Sequence, residues 1–311
     1  MNNTTPFGSR TTADQVLAGV DLTGKYFVVT GCNSGLGFET MSSLAANGAH
    51  VIGLARSLDA AMTACARVSR TCIPLACDLS DLDSVSAAAA SIRALGVLLD
   101  AIVANAAVAN LPTLQTRYGV EMHFLVNHIG HFALVGALCD LVRDRTGRIV
   151  IVSSNASITQ TPVEGIRFDN LDGRLFYRPF SFYGQSKLAA ALYAKELSRR
   201  LTSRGIAVNS VHPGATGGTA LNRHLRQPLA WLQRLAKFFM RNTQRGAATQ
   251  SLLAASPRVT GITGEYWTDC SIAQGNPLLN NVELARKLWD VSAKLVASHT
   301  RLTLHPLQAA A

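Results

Sequence analysis

The 311-residue sequence contains no run of about 18 uninterrupted apolar residues, and its opening, MNNTTPFGSRTTADQ, lacks the charged-then-apolar pattern of a secretory leader. A membrane span and secretion are therefore not expected, and a cytoplasmic location is. Cysteine is sparse and unpaired: Cys32, Cys65, Cys72, Cys77, Cys139 and Cys270 include no CxxC pair, which suits reduced, buried thiols and no zinc site. Only 15% of the residues are charged against 48% apolar, which excludes a disordered chain. The excess of 29 basic over 19 acidic residues is dispersed, apart from Arg223 to Arg245, so a phosphate-bearing small molecule is expected rather than nucleic acid. No repeat, low-complexity tract or linker interrupts the chain. It reads as a lead-in over 1–22, one domain over 23–300 and a C-terminal tail over 301–311, whose last stretch, HPLQAAA, is expected to fray.

Six short runs rich in β-branched residues punctuate the domain: YFVVTG from Tyr26, HVIGLA from His50, IPLACD from Ile73, LLDAIVAN from Leu98, GRIVIVSS from Gly147 and GIAVNSVHP from Gly205. Segments long enough for crossover helices separate them, which predicts an α/β fold: a doubly wound, Rossmann-type parallel sheet with helices on both faces. Helices are expected over Gly35 to Asn47 and Ser80 to Leu95, stopped by Gly48 and Gly96, and long ones over Arg117 to Arg143 and Ser181 to Arg204. A short helix at Thr12 to Ala18 would be capped by Thr12 or Thr11.

The first strand runs into Thr30-Gly31-Cys32-Asn33-Ser34-Gly35-Leu36-Gly37 and then directly into a helix. A pyrophosphate needs backbone N–H groups and a helix N-terminus within reach, and side chains at the glycine positions would block that approach. The second strand ends at Ala55, where dinucleotide folds often place a carboxylate for the adenosine ribose, and Arg56 follows. A guanidinium pairs with a 2′-phosphate that a carboxylate would repel, so NADP(H) is favoured over NAD(H). Asp78, with Leu79 beside it, is a candidate adenine contact or a cap of the next helix.

Tyr183 and Lys187 stand four apart, which on a helix is one face, one turn apart. Ser154 ends the fifth strand, and Asn105-Ala106-Ala107 ends the fourth, both at the carboxyl edge where open α/β sheets bind ligands. Ser153 competes with Ser154, because strand alternation sends the two to opposite faces. Together these motifs resemble the short-chain dehydrogenase/reductases. The segments Gly119 to Phe124, Val126 to Phe132, Gly264 to Cys270 and Leu288 to Ser292 are similar to the retinol-dehydrogenase-like branch, so the likeness spans about residues 12 to 297.

The resemblance implies that Tyr183 is general acid in reduction and base in oxidation, its pKa pulled down by Lys187 and by the oxidised nicotinamide. It further implies that Ser154 orients the substrate oxygen and Lys187 holds the nicotinamide ribose. Asn127 would anchor a water leading from Lys187 to solvent. Pro213, Gly214 and Thr216, with Thr219 as rival, are expected beside the nicotinamide amide. Ala107 departs from the usual glycine. Related enzymes pair through their long helices, which makes a homodimer or homotetramer an expectation here, although monomers also occur in this branch.

His123, Asn127 and His131 share a helical face but lack a thiolate or acidic companion, so packing is expected rather than a metal. Leu221 to Arg245 mixes aromatic, aliphatic and basic residues. It reads as an apolar lid over a hydrophobic substrate, or as a basic amphipathic helix resting peripherally on anionic lipid. The expected function is NADP(H)-dependent interconversion of a hydrophobic carbonyl compound and its alcohol. The rivals are reduction of a carbon–carbon double bond by the same residues, and an NADP(H)-binding sensor without turnover.

Overall fold

A computed structural model of the protein describes residues 5–68, 71–214 and 243–305. The expectations for Thr216, Thr219 and residues 221–242 of the lid fall outside the described residues. All six expected strands form: β1 Tyr26–Thr30, β2 His50–Ala55, β3 Cys72–Ala76, β4 Ala101–Ala104, β7 Arg148–Val152 and β8 Ala207–His212. Between β4 and β7 lies a small hairpin of β5 Thr116–Arg117 and β6 Val120–Glu121. After β8 the chain adds β9 Tyr266–Thr268, parallel to β8, and the antiparallel edge strand β10 Ser271–Ile272.

The strand order is β3-β2-β1-β4-β7-β8-β9-β10, so the direction of winding reverses between β1 and β4. That reversal opens a crevice at the carboxyl ends of the two strands, because their connections leave to opposite sides. Alternation sorts the strand side chains into two cores. Val28, Ile102 and Ile149, in register across β1, β4 and β7, face one side, while Phe27, Val29, Val103 and Val150 face the other. Each such fully buried chain stabilises the fold by about 1.5–3 kcal/mol.

The first core is covered by α4 Leu82–Ala94, α5, α6 Pro179–Arg200 and α8 Val282–His299. The second is covered by α1 Ala13–Leu17, α2 Gly35–Ala46, α3 Leu58–Ala66 and α7 Ala248–Ala255. Here α5 is a composite of Met122–Phe124, a π-helical turn Leu125–Ile129 and Gly130–Leu138. The stretch Met122–Leu141 is long and apolar enough to cross a membrane, but 89% of its apolar window is buried inside the molecule. It is a core helix.

Several expectations require correction. The helix expected from Arg117 begins only at Met122, because Tyr118 (φ 57°) and Gly119 (φ 69°) make a tight hairpin turn and Glu121 then accepts from His123 N and Phe124 N as the helix cap. The catalytic-side helix starts at Pro179 and ends at Arg200, with a 3-10 turn Thr202–Arg204 before Gly205 (φ 65°). The lead-in is built into the core: Thr12 and Gln15 form a capping box, and Leu17 and Leu22 are fully buried. At the other end, His305 N donates to Gly136 O, and the remainder of the tail falls outside the described residues. Unexpected as an element, α8 packs across α5 and α6, the helices expected to pair with a second copy. Trp289 meets Phe132 edge-on at 5.0 Å, Arg200 sits 4.0 Å from the Trp289 ring, and His128 Nε2 lies 2.7 Å from Ser292 Oγ.

Candidate active site

The turn after β1 is packed so tightly that only glycine fits. A Cβ on Gly37 would stand 2.2 Å from Gly31 O and 2.5 Å from Asn105 Nδ2, and Gly31 itself holds φ +70° against Ala106. Asn105 closes the arrangement: its Nδ2 donates to Thr30 O at 2.8 Å, and its Oδ1 accepts from Gln250 Nε2 at 3.3 Å. Ser34 enters α2 in extended backbone and makes no side-chain cap bond, so the first amides of a twelve-residue helix are left to other acceptors. Asn33 and Ser34 are exposed at this mouth, Gly35 opens the helix, and Leu36 is buried behind them. A cradle that any side chain would fill, facing a helix N-terminus, fits a pyrophosphate.

Farther along the same edge, Arg56 follows β2, exposed and with no ion-pair partner among the described residues. Asp78 Oδ1 accepts from Ser80 N at 2.9 Å and from Ser80 Oγ at 2.7 Å, while α4 is capped by Asp81. The capping alternative for Asp78 is thus taken by Asp81. Leu79 is buried, its carbonyl pressed against Gly130. Pro213 and Gly214 leave β8 at this edge as well.

The catalytic candidates converge from β7 and α6. Ser153 is buried and donates to Lys187 O at 2.7 Å, whereas Ser154 is partly exposed and its Oγ accepts from Ala156 N at 3.2 Å. Both serines follow the end of β7 at Val152: the Ser153 hydroxyl is spent on the backbone of α6, and Ser154 is the one open to the crevice. Lys187 follows Tyr183 by one turn of α6, and its Nζ donates to Val152 O at 2.9 Å. Burial pushes the Lys187 pKa down to about 7. For Tyr183, burial raises the phenol pKa and the Ser154 hydrogen bond partly offsets it. Among the protein's own groups the net direction is upward, burial outweighing the lowering contact from Ser154.

Asn127 stands in the π-helical turn of α5. Its Nδ2 donates to Val108 O and to Ser186 Oγ, both at 2.9 Å, and its Oδ1 accepts from Val108 N at 2.8 Å. The side chain thus fastens the loop after β4 to the catalytic helix. Ala106, at the start of that loop, donates its N–H to Thr30 Oγ1 at 2.9 Å.

Three contributors escape sequence reading. His123 lies edge-on to Tyr183 with ring centroids 6.1 Å apart, and its Nδ1 is 2.6 Å from Glu121 Oε1, both side chains fully buried. Gln250 reaches the site from α7, 145 residues beyond Asn105. Ser186 bridges Asn127 to the Tyr183 carbonyl, and its place between Tyr183 and Lys187 was the one available signal. The other ring contacts of the α5 histidines are to protein groups: Leu111 N for His123, Ser292 Oγ for His128 and Thr30 Oγ1 for His131.

A family model described as short chain dehydrogenase matches residues 25–166. The chain is 38% identical over 309 residues to the chloroplastic short-chain dehydrogenase TIC 32 B of Brassica napus, covering 94% of this chain and 95% of that protein. It is 36% identical over 283 residues to human retinol dehydrogenase 11, covering 89% and 87% respectively. Among solved structures, an uncharacterised protein from Mycobacterium paratuberculosis superposes with a TM-score of 0.73 at 28% identity, over 94% of this chain and 99% of that one.

Proposed function

The chain belongs to the short-chain dehydrogenase family, and on that premise we propose that it interconverts a hydrophobic carbonyl compound and its alcohol, using NADP(H), with Tyr183 as general acid and base. The observation that carries this reading is the convergence of Ser154, which follows β7, with Tyr183 and Lys187, one turn apart on α6, Lys187 Nζ being tied back to Val152 O at the end of β7. When bound at the glycine turn, the nicotinamide coenzyme supplies or accepts the hydride. The chain's own groups do the rest. Ser154 orients the substrate oxygen, and the Tyr183 hydroxyl gives that oxygen its proton in reduction and takes it back in oxidation. A phenol whose pKa burial has raised keeps its proton at neutral pH, which suits the reductive direction. Lys187 is placed to hold the nicotinamide ribose.

NADP(H) is the preferred coenzyme because Arg56, and no carboxylate, follows the second strand. An apolar substrate is supported by Ile158, Leu175 and Phe180, which are exposed on the segment between Ser154 and Tyr183. Six buried cysteines with no CxxC pair among them fit a reducing compartment such as the cytoplasm.

A panel of aldehydes and ketones with NADPH, followed by absorbance and product analysis, tests the reading. Formation of the alcohol is expected. A saturated product with its carbonyl intact would transfer the chemistry to carbon–carbon double bonds, and coenzyme binding without turnover on any of them would leave a sensor.

A further inference from the structure

Thr30, the last residue of β1, is the meeting point of three groups. Its Oγ1 accepts from Asn105 N at 2.8 Å and from Ala106 N at 2.9 Å, and His131 Nε2 lies 2.9 Å away. A hydroxyl has two acceptor positions and one proton. Two amides occupy the acceptor positions, so the proton must go to His131 Nε2, which is therefore unprotonated. The imidazole then carries its proton on Nδ1, which lies 3.3 Å from the carbonyl of Asn127 in the π-helical turn of α5. From Asn127 the connection continues through Nδ2 to Ser186 Oγ, and Ser186 donates to Tyr183 O at 2.8 Å.

We propose that His131 is a positioning residue: its two ring nitrogens join the floor of the coenzyme crevice, Thr30 with Asn105 and Ala106, to the helix turn that holds the backbone of Tyr183. The inference rests on the coenzyme reading above. Each nitrogen has a separate task. Nε2 fixes the Thr30 hydroxyl in the one orientation that leaves its oxygen free for both amides, and so sets the Asn105–Ala106 floor. Nδ1–H steadies Asn127, and through it the Tyr183 end of α6. The ring is fully enclosed, and burial keeps it neutral beside Lys187 and His128, so the same tautomer persists through the working pH range.

The two tasks are separable by substitution. His131→Gln keeps an acceptor at the Nε2 distance and loses the Nδ1 donor, whereas His131→Asn keeps the donor and loses the acceptor. NADPH affinity, read by fluorescence titration, is expected to fall about tenfold in His131→Asn and stay within about threefold of wild type in His131→Gln. At saturating NADPH, turnover of a carbonyl compound reduced by the wild type is expected to show the opposite order. Thr30→Val, which removes the hydroxyl at nearly constant shape, should match His131→Asn in NADPH affinity, and Thr30→Ser should restore it. That pair decides the matter even where a His131 variant fails to fold. Equal NADPH affinity in all variants, or equal losses in the Asn and Gln variants with matching drops in melting temperature, would reduce His131 to a packed core residue and overturn the proposal. A wild-type protein that binds neither NADPH nor NADH would instead overturn the coenzyme reading beneath it.

Discussion

The two halves of the crevice are built from different materials. On the β1–α2 side the surface offered to a ligand is backbone: Gly31 and Gly37 are pressed against their neighbours, and the amides of α2 are left open. On the β7–α6 side it is side chain: Ser154, Tyr183 and Lys187, held by Ser153, Asn127 and Ser186. A site made of backbone tolerates no added atoms, while a site made of side chains tolerates shape changes but not the loss of a functional group. Substitutions on the two sides should therefore fail in different ways.

On the side-chain half, Ser154→Ala should reduce turnover about 10²–10³-fold, the loss associated with one preorganised donor to a reacting oxygen, with NADPH affinity unchanged. A parallel loss of affinity would erase the distinction between the halves. On the backbone half, Gly37→Ala places a methyl 2.2 Å from Gly31 O, which nothing but backbone movement can relieve. Overpacking of about 1–3 kcal/mol is expected, seen as a lower melting temperature and NADPH binding weakened about tenfold or more. Normal binding in a normally stable Gly37→Ala protein would show that the turn is an ordinary strand-to-helix connection. Arg56→Ala sharpens the comparison from the rim: NADPH should weaken about tenfold with NADH little changed, and equal losses would refute the 2′-phosphate assignment.

A separate effect falls on stability and is read through pH. His128 and His131 are buried and neutral, with pKa values pushed down to about 3 and about 4 by loss of hydration. In the unfolded chain each takes a proton below about pH 6.5. Their contribution is thus complete above that pH and declines on acidification by about 1.4 kcal/mol per unit for each histidine, until the folded-state values are reached. Urea midpoints measured at about pH 7 and about pH 5 should fall accordingly. A flat profile would mean that α5 admits charge, and that its link to both halves is looser than the hydrogen bonds imply.

How much of this was legible before any coordinates depended on the same division. Glycine spacing encodes a backbone site directly, so Gly31, Gly35 and Gly37 were readable, whereas the choice of Ser154 over Ser153 came from the family resemblance. The hairpin at Tyr118 and Gly119 was hidden, because its flanking residues fit a helical pattern equally well and only the positive φ at a non-glycine residue separates the two. Gln250 could not be found at all: a contact with Asn105 across 145 residues leaves no local trace. The burial of the Tyr183 phenol was hidden for a related reason. Spacing places Lys187 beside the phenol, but it says nothing of the carbonyl of Val152 that holds the ammonium, or of the burial that raises the phenol.

Tyr183→Phe reaches the central claim most directly, since it removes one oxygen and leaves the ring packed against His123. With NADPH and a carbonyl substrate of the wild type, turnover should fall at least about a thousandfold while NADPH affinity stays within about twofold. Turnover retained in that variant would contradict the account.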